Sequence, residues 1–177
     1  MIAVQRPIFS LILFAIFMVP NSATALRAIS PCHVTNAPDN GGILLAEFTT
    51  HFKETNVRRA ANVRLAASKL DGVVIPAREN LSYNEVVGPR TAETGFHPAL
   101  VIDQGKYVER PGGGVCQPSS TLYAASLFSG LRTVERSNHS WQSPYIGPGL
   151  DAAVVWNHKD LVLRNPYSFA VRIHAAV

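Results

Sequence analysis

Hydrophobic and polar positions along this chain follow two periods, one of strands and one of helices. Residues 43–52 carry Leu45, Phe48 and Phe52 on an apolar side, with Thr49 and Thr50 favouring extended backbone, and predict a strand. Asn56 is a good N-cap for the helix that follows. There Ala60, Val63, Ala67 and Leu70 share one face, Arg58, Arg59, Arg64 and Lys69 the other, and Asp71-Gly72 stops the pattern. Val73-Val74-Ile75 reads as a short strand ended by Pro76, and residues 80–95 as a loop rich in Asn, Gly and Pro. Residues 99–102 and Tyr107-Val108 flank Asp103-Gln104-Gly105 as a hairpin. A central helix begins near Pro118, with Ala124, Leu127, Phe128 and Leu131 as its apolar face and Gly130 as its end. Residues 133–136, 152–156, 160–163 and 169–177 look extended, and Val171, Ile173 and Ala175 alternate with Arg172 and His174. The pattern predicts a single α+β domain, the central helix packed on a mainly antiparallel sheet.

The N-terminal pattern is different. Arg6 precedes an almost wholly apolar run over residues 8–19, then Pro20-Asn21 and Ala23-Thr24-Ala25, an A-x-A cleavage signature. Residues 1–25 therefore read as a secretory signal peptide, residues 26–42 as a flexible lead-in and residues 43–177 as the folded domain. The run of about a dozen apolar residues is short of the ~20 that span a bilayer, so no stable membrane span is expected after cleavage. About 150 residues would remain, enough for one core. The expected location is secreted or periplasmic.

Composition narrows the function classes. The 177 residues carry a formal net charge of +4, with basic residues scattered rather than striped. No basic–aromatic interleaving is present, so nucleic acid is not an expected partner. Nothing in the sequence implies a cofactor. Two cysteines, Cys32 and Cys116, invite a disulfide in an exported chain, although that bridge would block the better nucleophile.

The candidate chemistry centres on Gly112-Gly113-Gly114-Val115-Cys116-Gln117-Pro118. Glycines let the backbone turn tightly and deliver Cys116 to a helix N-terminus, where free N–H groups and the macrodipole favour a thiolate. His139 follows in Asn138-His139-Ser140-Trp141, and Asp151 closes Gly147-Pro148-Gly149-Leu150-Asp151. Imidazole takes a thiol proton and a carboxylate orients the ring, so Cys116, His139 and Asp151 are candidate catalytic residues. This order also occurs in papain-like and transglutaminase-like enzymes. Structural roles for His139 and Asp151 as turn residues, or shared zinc ligation with Cys116, are the alternatives. Gln117 is a candidate oxyanion contact. Gly113 and Gly114 shape the cleft, and Tyr123, two turns into the helix, is a candidate rim residue. Arg90, Thr91 and Asn84 are candidate substrate contacts because they sit in polar loops. Ser120 lacks a G-x-S-x-G setting, and His51, His97, His158 and His174 have no partner in sequence.

From about Leu45 to the C-terminus the chain resembles the VanW family. The resemblance is carried by Glu47-Phe48-Thr49-Thr50, Arg59-Ala60-Ala61-Asn62-Val63-Arg64, Val87-Gly88-Pro89-Arg90-Thr91, the block over residues 112–123, Glu135-Arg136, His139-Ser140, Tyr145 and Gly149-Leu150-Asp151-Ala152. Pro76-Ala77-Arg78-Glu79 departs from the family's usual Pro-Gly-Glu, which removes a turn glycine. The resemblance implies a cell-envelope setting, the family being named for a member encoded with glycopeptide-resistance genes. Its expected partner is a cell-wall peptide or peptidoglycan. Hydrolysis or acyl/peptidyl transfer is one expectation, and a non-catalytic envelope-binding module the other.

Overall fold

The computed structural model describes residues 9–19, 42–103 and 106–177. Its central sheet has four strands in the order β2 (Ile43–Lys53), β1 (Phe9–Val19), β9 (Ala170–Ala176) and β3 (Val74–Ile75), every neighbour antiparallel. A three-stranded sheet orders β4 (Asn80–Ser82), β8 (Val162–Arg164) and β7 (Arg132–Glu135), and β5 (Pro98–Asp103) pairs with β6 (Lys106–Pro111) as a hairpin. Helix α1 (Val57–Leu70) packs on β9, while α3 (Cys116–Ser129) packs on β2 and β1. The class is α+β, with antiparallel sheets and few helices, as the pattern predicts.

Helix α1 forms as expected: the Asn56 side chain accepts from Arg59 N–H, and Ala60, Val63, Ala66, Ala67 and Leu70 are buried on one face. In β9 the alternation holds, with Val171 and Ile173 fully buried. Three features differ from the pattern. Residues 9–19, read as the apolar run of a leader, form β1 between β2 and β9, with Phe14 and Ile16 fully buried. An uninterrupted apolar run suits a strand covered on both faces as well as it suits a leader, so periodicity does not separate the two. The predicted cleavage site, the lead-in as far as residue 41, Cys32 and the turn Gln104-Gly105 lie outside the described residues. The loop over residues 80–95 holds β4 and a short helix, α2 (Tyr83–Val87), started by Ser82, whose hydroxyl accepts from Glu85 N–H. Residues 152–156 are not a regular strand; they make one isolated bridge, Val155 to Lys159.

The largest correction concerns α3. Leu127 and Phe128, assigned to its buried face, are 42% and 65% exposed, and Phe128 stacks on Phe48 at the surface. Ala124 and Leu131 of the predicted face are buried as expected, and the rest of the buried side is made by Gln117, Ser119, Ser120, Thr121, Leu122, Ala125 and Ser126. Small polar residues can face a core when their hydroxyls are bonded, and here they are. Thr121 Oγ1 donates to Gln117 O, Ser126 to Tyr123 O, and Thr121 meets Thr50 of β2 at 2.8 Å. A pattern that scores only apolar residues finds part of the buried side of such a helix and adds exposed residues to it.

Candidate functional site

The loop before α3 is pressed between three elements, which is why it is glycine. Gly112 and Gly114 have φ of +83° and +107°, a region disfavoured for residues with a Cβ. A Cβ on Gly112 would lie 2.6 Å from Arg90 Cβ, and one on Gly114 2.8 Å from Arg59 Cγ. A Cβ on Gly113 would run into the Ala99 backbone of β5. Fully buried Asn62 ties the loop down, donating from Nδ2 to Gly113 O and His97 O while Oδ1 accepts from His97 N–H. Tyr83 donates its hydroxyl to Val115 O at 2.8 Å. The backbone that presents Cys116 is therefore held from α1, α2 and β5.

Serines of α3 place the opposite wall. Ser119 Oγ donates to Ala152 O at 2.6 Å, and Ser120 Oγ accepts from Ala152 N–H at 2.9 Å. Holding Ala152 at both backbone groups fixes Asp151 on one side and Val154 on the other. Val154 O and N–H each lie 3.5 Å from Cys116 Sγ, which is a free thiol. Asp151 Oδ2 accepts from His139 N–H and also meets His139 Nδ1, both at 2.7 Å. With Nδ1 so engaged, the other ring nitrogen is left free, and the His139 imidazole acts electrostatically on the Cys116 thiol. Arg136 closes the row, donating from Nη2 to Asp151 Oδ1 and from Nε to Asp151 O. The structure thus joins Arg136, Asp151 and His139 in one hydrogen-bonded line, with the Cys116 thiol electrostatically coupled to its His139 end.

The electrostatics favour charge separation along that line. Burial pushes the Cys116 thiol up, but the hydrogen bond and charge of His139, the Val154 backbone and Arg90 outweigh it and hold the thiol below its ordinary value. Burial pulls His139 down, yet the bonds to and charges of Cys116 and Asp151 raise it above the ordinary imidazole value. Asp151 is raised by burial and lowered further by the His139 backbone, its ring and Arg136, for a net fall. Hydrogen bonding to the charged form and a nearby opposite charge stabilise that form on each partner. Tyr145 is pushed up to about 12 by burial, with the thiolate charge adding.

The other expected site residues divide. Gln117 does not offer its groups to a ligand: its N–H goes to Gly114 O, its Nε2 to Thr50 and His51 O, and its Oε1 accepts from Arg59 at 2.7 Å. Asn84 is buried and holds the turn over residues 155–159, donating to Val155 O and Lys159 O. Thr91 is spent on its own turn, through Thr94 Oγ1 and Phe96 N–H. Tyr123 does not sit on a rim; its ring backs the Arg136 guanidinium at 5.2 Å. Arg90 lies near the rings of Tyr83 and Trp156, and its charge acts on the thiol. Sequence reasoning missed Arg136, Arg59 and Tyr145 as members of the site. Arg136 was visible only as half of Glu135-Arg136, and Arg59 was hidden in the charged face of α1, although it is half-buried.

A cavity of about 340 Å³ lies behind His139 and Asp151, lined by Arg136, Asn138, Trp141 and Pro148 among others, and does not reach Cys116. Among the described residues, no group of three or more His, Cys, Asp or Glu side chains is placed to hold a metal ion, and no helix is long and apolar enough to cross a membrane.

Residues 58–177 match the family model described as VanW like protein. Over 131 residues the chain is 39% identical to "Uncharacterized protein YoaR" of Bacillus subtilis (strain 168), covering 74% of this chain and 43% of that protein. Over 109 residues it is 31% identical to "Vancomycin B-type resistance protein VanW" of Enterococcus faecalis (strain ATCC 700802 / V583), covering 59% and 40% of the two chains. The chain spans less than half the length of these curated relatives. No solved structure matches it.

Proposed function

The chain belongs to the VanW family, and from that premise we propose that it is an exported cell-envelope protein that cleaves or transfers acyl groups of cell-wall peptides through Cys116. The observation that carries this reading is the double hold of Asp151 Oδ2 on the backbone and ring of His139, which fixes the ring and leaves its other nitrogen free to serve the thiol. A turn histidine or a strand-opening aspartate needs no such line. The Cys–His–Asp order, with the cysteine at a helix start, supports a papain- or transglutaminase-like arrangement.

Chemically, the Cys116 proton passes to His139, and the thiolate attacks a peptide carbonyl carbon to give a tetrahedral oxyanion. Collapse breaks the C–N bond; His139 returns the proton to the departing amine, leaving a thioester on Sγ. Water or an acceptor amine then attacks the thioester while His139 takes its proton, and the thiol is restored as the new acid or amide leaves. Asp151 holds the ring in one tautomer and stabilises its charged form. Export to the envelope is part of the same proposal.

The test is turnover of defined peptidoglycan peptides by the wild-type protein and by Cys116→Ser, His139→Ala and Asp151→Asn. Loss in all three with folding retained supports the enzyme. A wild-type protein that binds these peptides but leaves them intact, with Cys116 inert to iodoacetamide, overturns it in favour of the non-catalytic module.

A further inference from the structure

Two arginines pack against the loop that carries the thiol, and among the described residues neither is in ion-pair contact with a carboxylate. Arg59 sends one N–H to Gln117 Oε1 and lies over the Tyr145 ring. Arg90 sends Nη1 to Gly88 O, while its buried Nε and Nη2 have no hydrogen-bond partner. Among the described residues neither guanidinium is in a salt bridge, whereas Arg136 is paired with Asp151. Both stand against the glycine loop, Arg90 at Gly112 and Arg59 at Gly114, so they straddle the backbone that delivers Cys116. Both also act electrostatically on the thiol.

Taking thiol and imidazole as one neutral pair, the cations here are Arg59, Arg90 and Arg136, and the carboxylates are Asp151 and Asp160, the latter acting on Arg90. One positive charge is unmatched. A partly buried cation and buried N–H groups left unpaired are costly, and a site that keeps them is built for an anion that arrives. A single unmatched charge and two planar forks fit a carboxylate.

We propose that Arg59 and Arg90 form a carboxylate subsite beside Cys116, so that the peptide attacked is one carrying a free carboxylate in the residue next to the scissile carbonyl, as at a peptide C-terminus. This rests on the enzyme reading above and gives it a substrate class. It makes the reaction the removal or exchange of a C-terminal residue. Trp156, 37% exposed, lies with its ring centroid 5.9 Å from the Arg90 guanidinium and borders the subsite.

The probe is a pair of near-isosteric alkylating agents, iodoacetate and iodoacetamide, applied to the full chain. Iodoacetate should alkylate Cys116 about tenfold faster than iodoacetamide, the scale of one charge-assisted hydrogen bond. Arg59→Gln and Arg90→Gln should each cut that ratio severalfold, both rates being taken at a pH where the thiol of each variant is fully ionised, and Arg90→Lys should restore part of it. A wild-type ratio of one or less, or a ratio unmoved in both variants, overturns the subsite while leaving the nucleophile standing. A thiol inert to both reagents removes the nucleophile instead. The subsite is then decided in Cys116→Ala, where N-acetyl-alanyl-alanine must bind and its C-terminal amide must not; equal binding of the two overturns it.

Discussion

Arg136 grips Asp151 at two points, its Nη2 donating to Oδ1 and its Nε to the backbone carbonyl, both at 2.7 Å. The carboxylate is thereby fixed against rotation before it meets His139. The Tyr123 ring backs the guanidinium in turn. Arg136→Gln should therefore act through His139: the iodoacetamide rate of Cys116 near pH 6 should fall about tenfold, in line with loss of an outer hydrogen-bonding partner at a site of this kind. Mass spectrometry of the alkylated peptide measures it. An unchanged pH profile would assign Arg136 to structure alone.

The paired shifts of Cys116 and His139 fix the sign of the pH dependence. Thiolate forms as pH rises through the lowered Cys116 value, so alkylation should switch on below the ~8.5 of a free thiol. Turnover also needs the His139 proton, held until pH passes the raised imidazole value. Alkylation should therefore rise once with pH, and turnover should be bell-shaped. His139→Ala should move the alkylation midpoint upward and remove the bell.

The exposed and buried sides of α3 predict opposite responses to truncation. Leu122→Ala, at a fully buried position, should lower unfolding stability by about 2–5 kcal/mol. Leu127→Ala, at a 42% exposed one, should cost under ~1 kcal/mol. Urea unfolding of the two variants distinguishes them.

How much of this was legible in the sequence follows from what burial is made of. The face of α1 and the alternation of β9 are written in Ala, Val, Leu and Ile, and both were readable. The inner side of α3 is written in Ser and Thr, whose burial depends on partners such as Ala152 and Thr50 that are remote in sequence. The chemistry of Cys116, His139 and Asp151 could be named from residue type and local setting. Arg59 could not, because a helix pattern counts it as solvent-facing whether or not a glycine loop packs against its stem.

Gly113→Ala tests that loop directly. The added methyl group meets the Ala99 backbone, which has no flexible end to give way. The expected outcome is a loss of about 1–3 kcal/mol, typical of forcing extra volume into a packed site. A parallel loss of Cys116 reactivity at low pH should accompany it. Gly72→Ala, at a surface turn with open space around it, should carry only the smaller strain of its positive φ and leave the thiol untouched.

The placement of β1 bears on when this protein becomes itself. Residues 9–19 fill the lane between β2 and β9, and each of those strands meets β1 rather than the other. Under the export proposed above, a segment held by an export apparatus could not at the same moment close this sheet, so transit and folding would compete for one stretch of eleven residues. Early closure would trap a folded molecule on the side where it was made; early engagement would deliver an open one across, with its largest sheet unfinished.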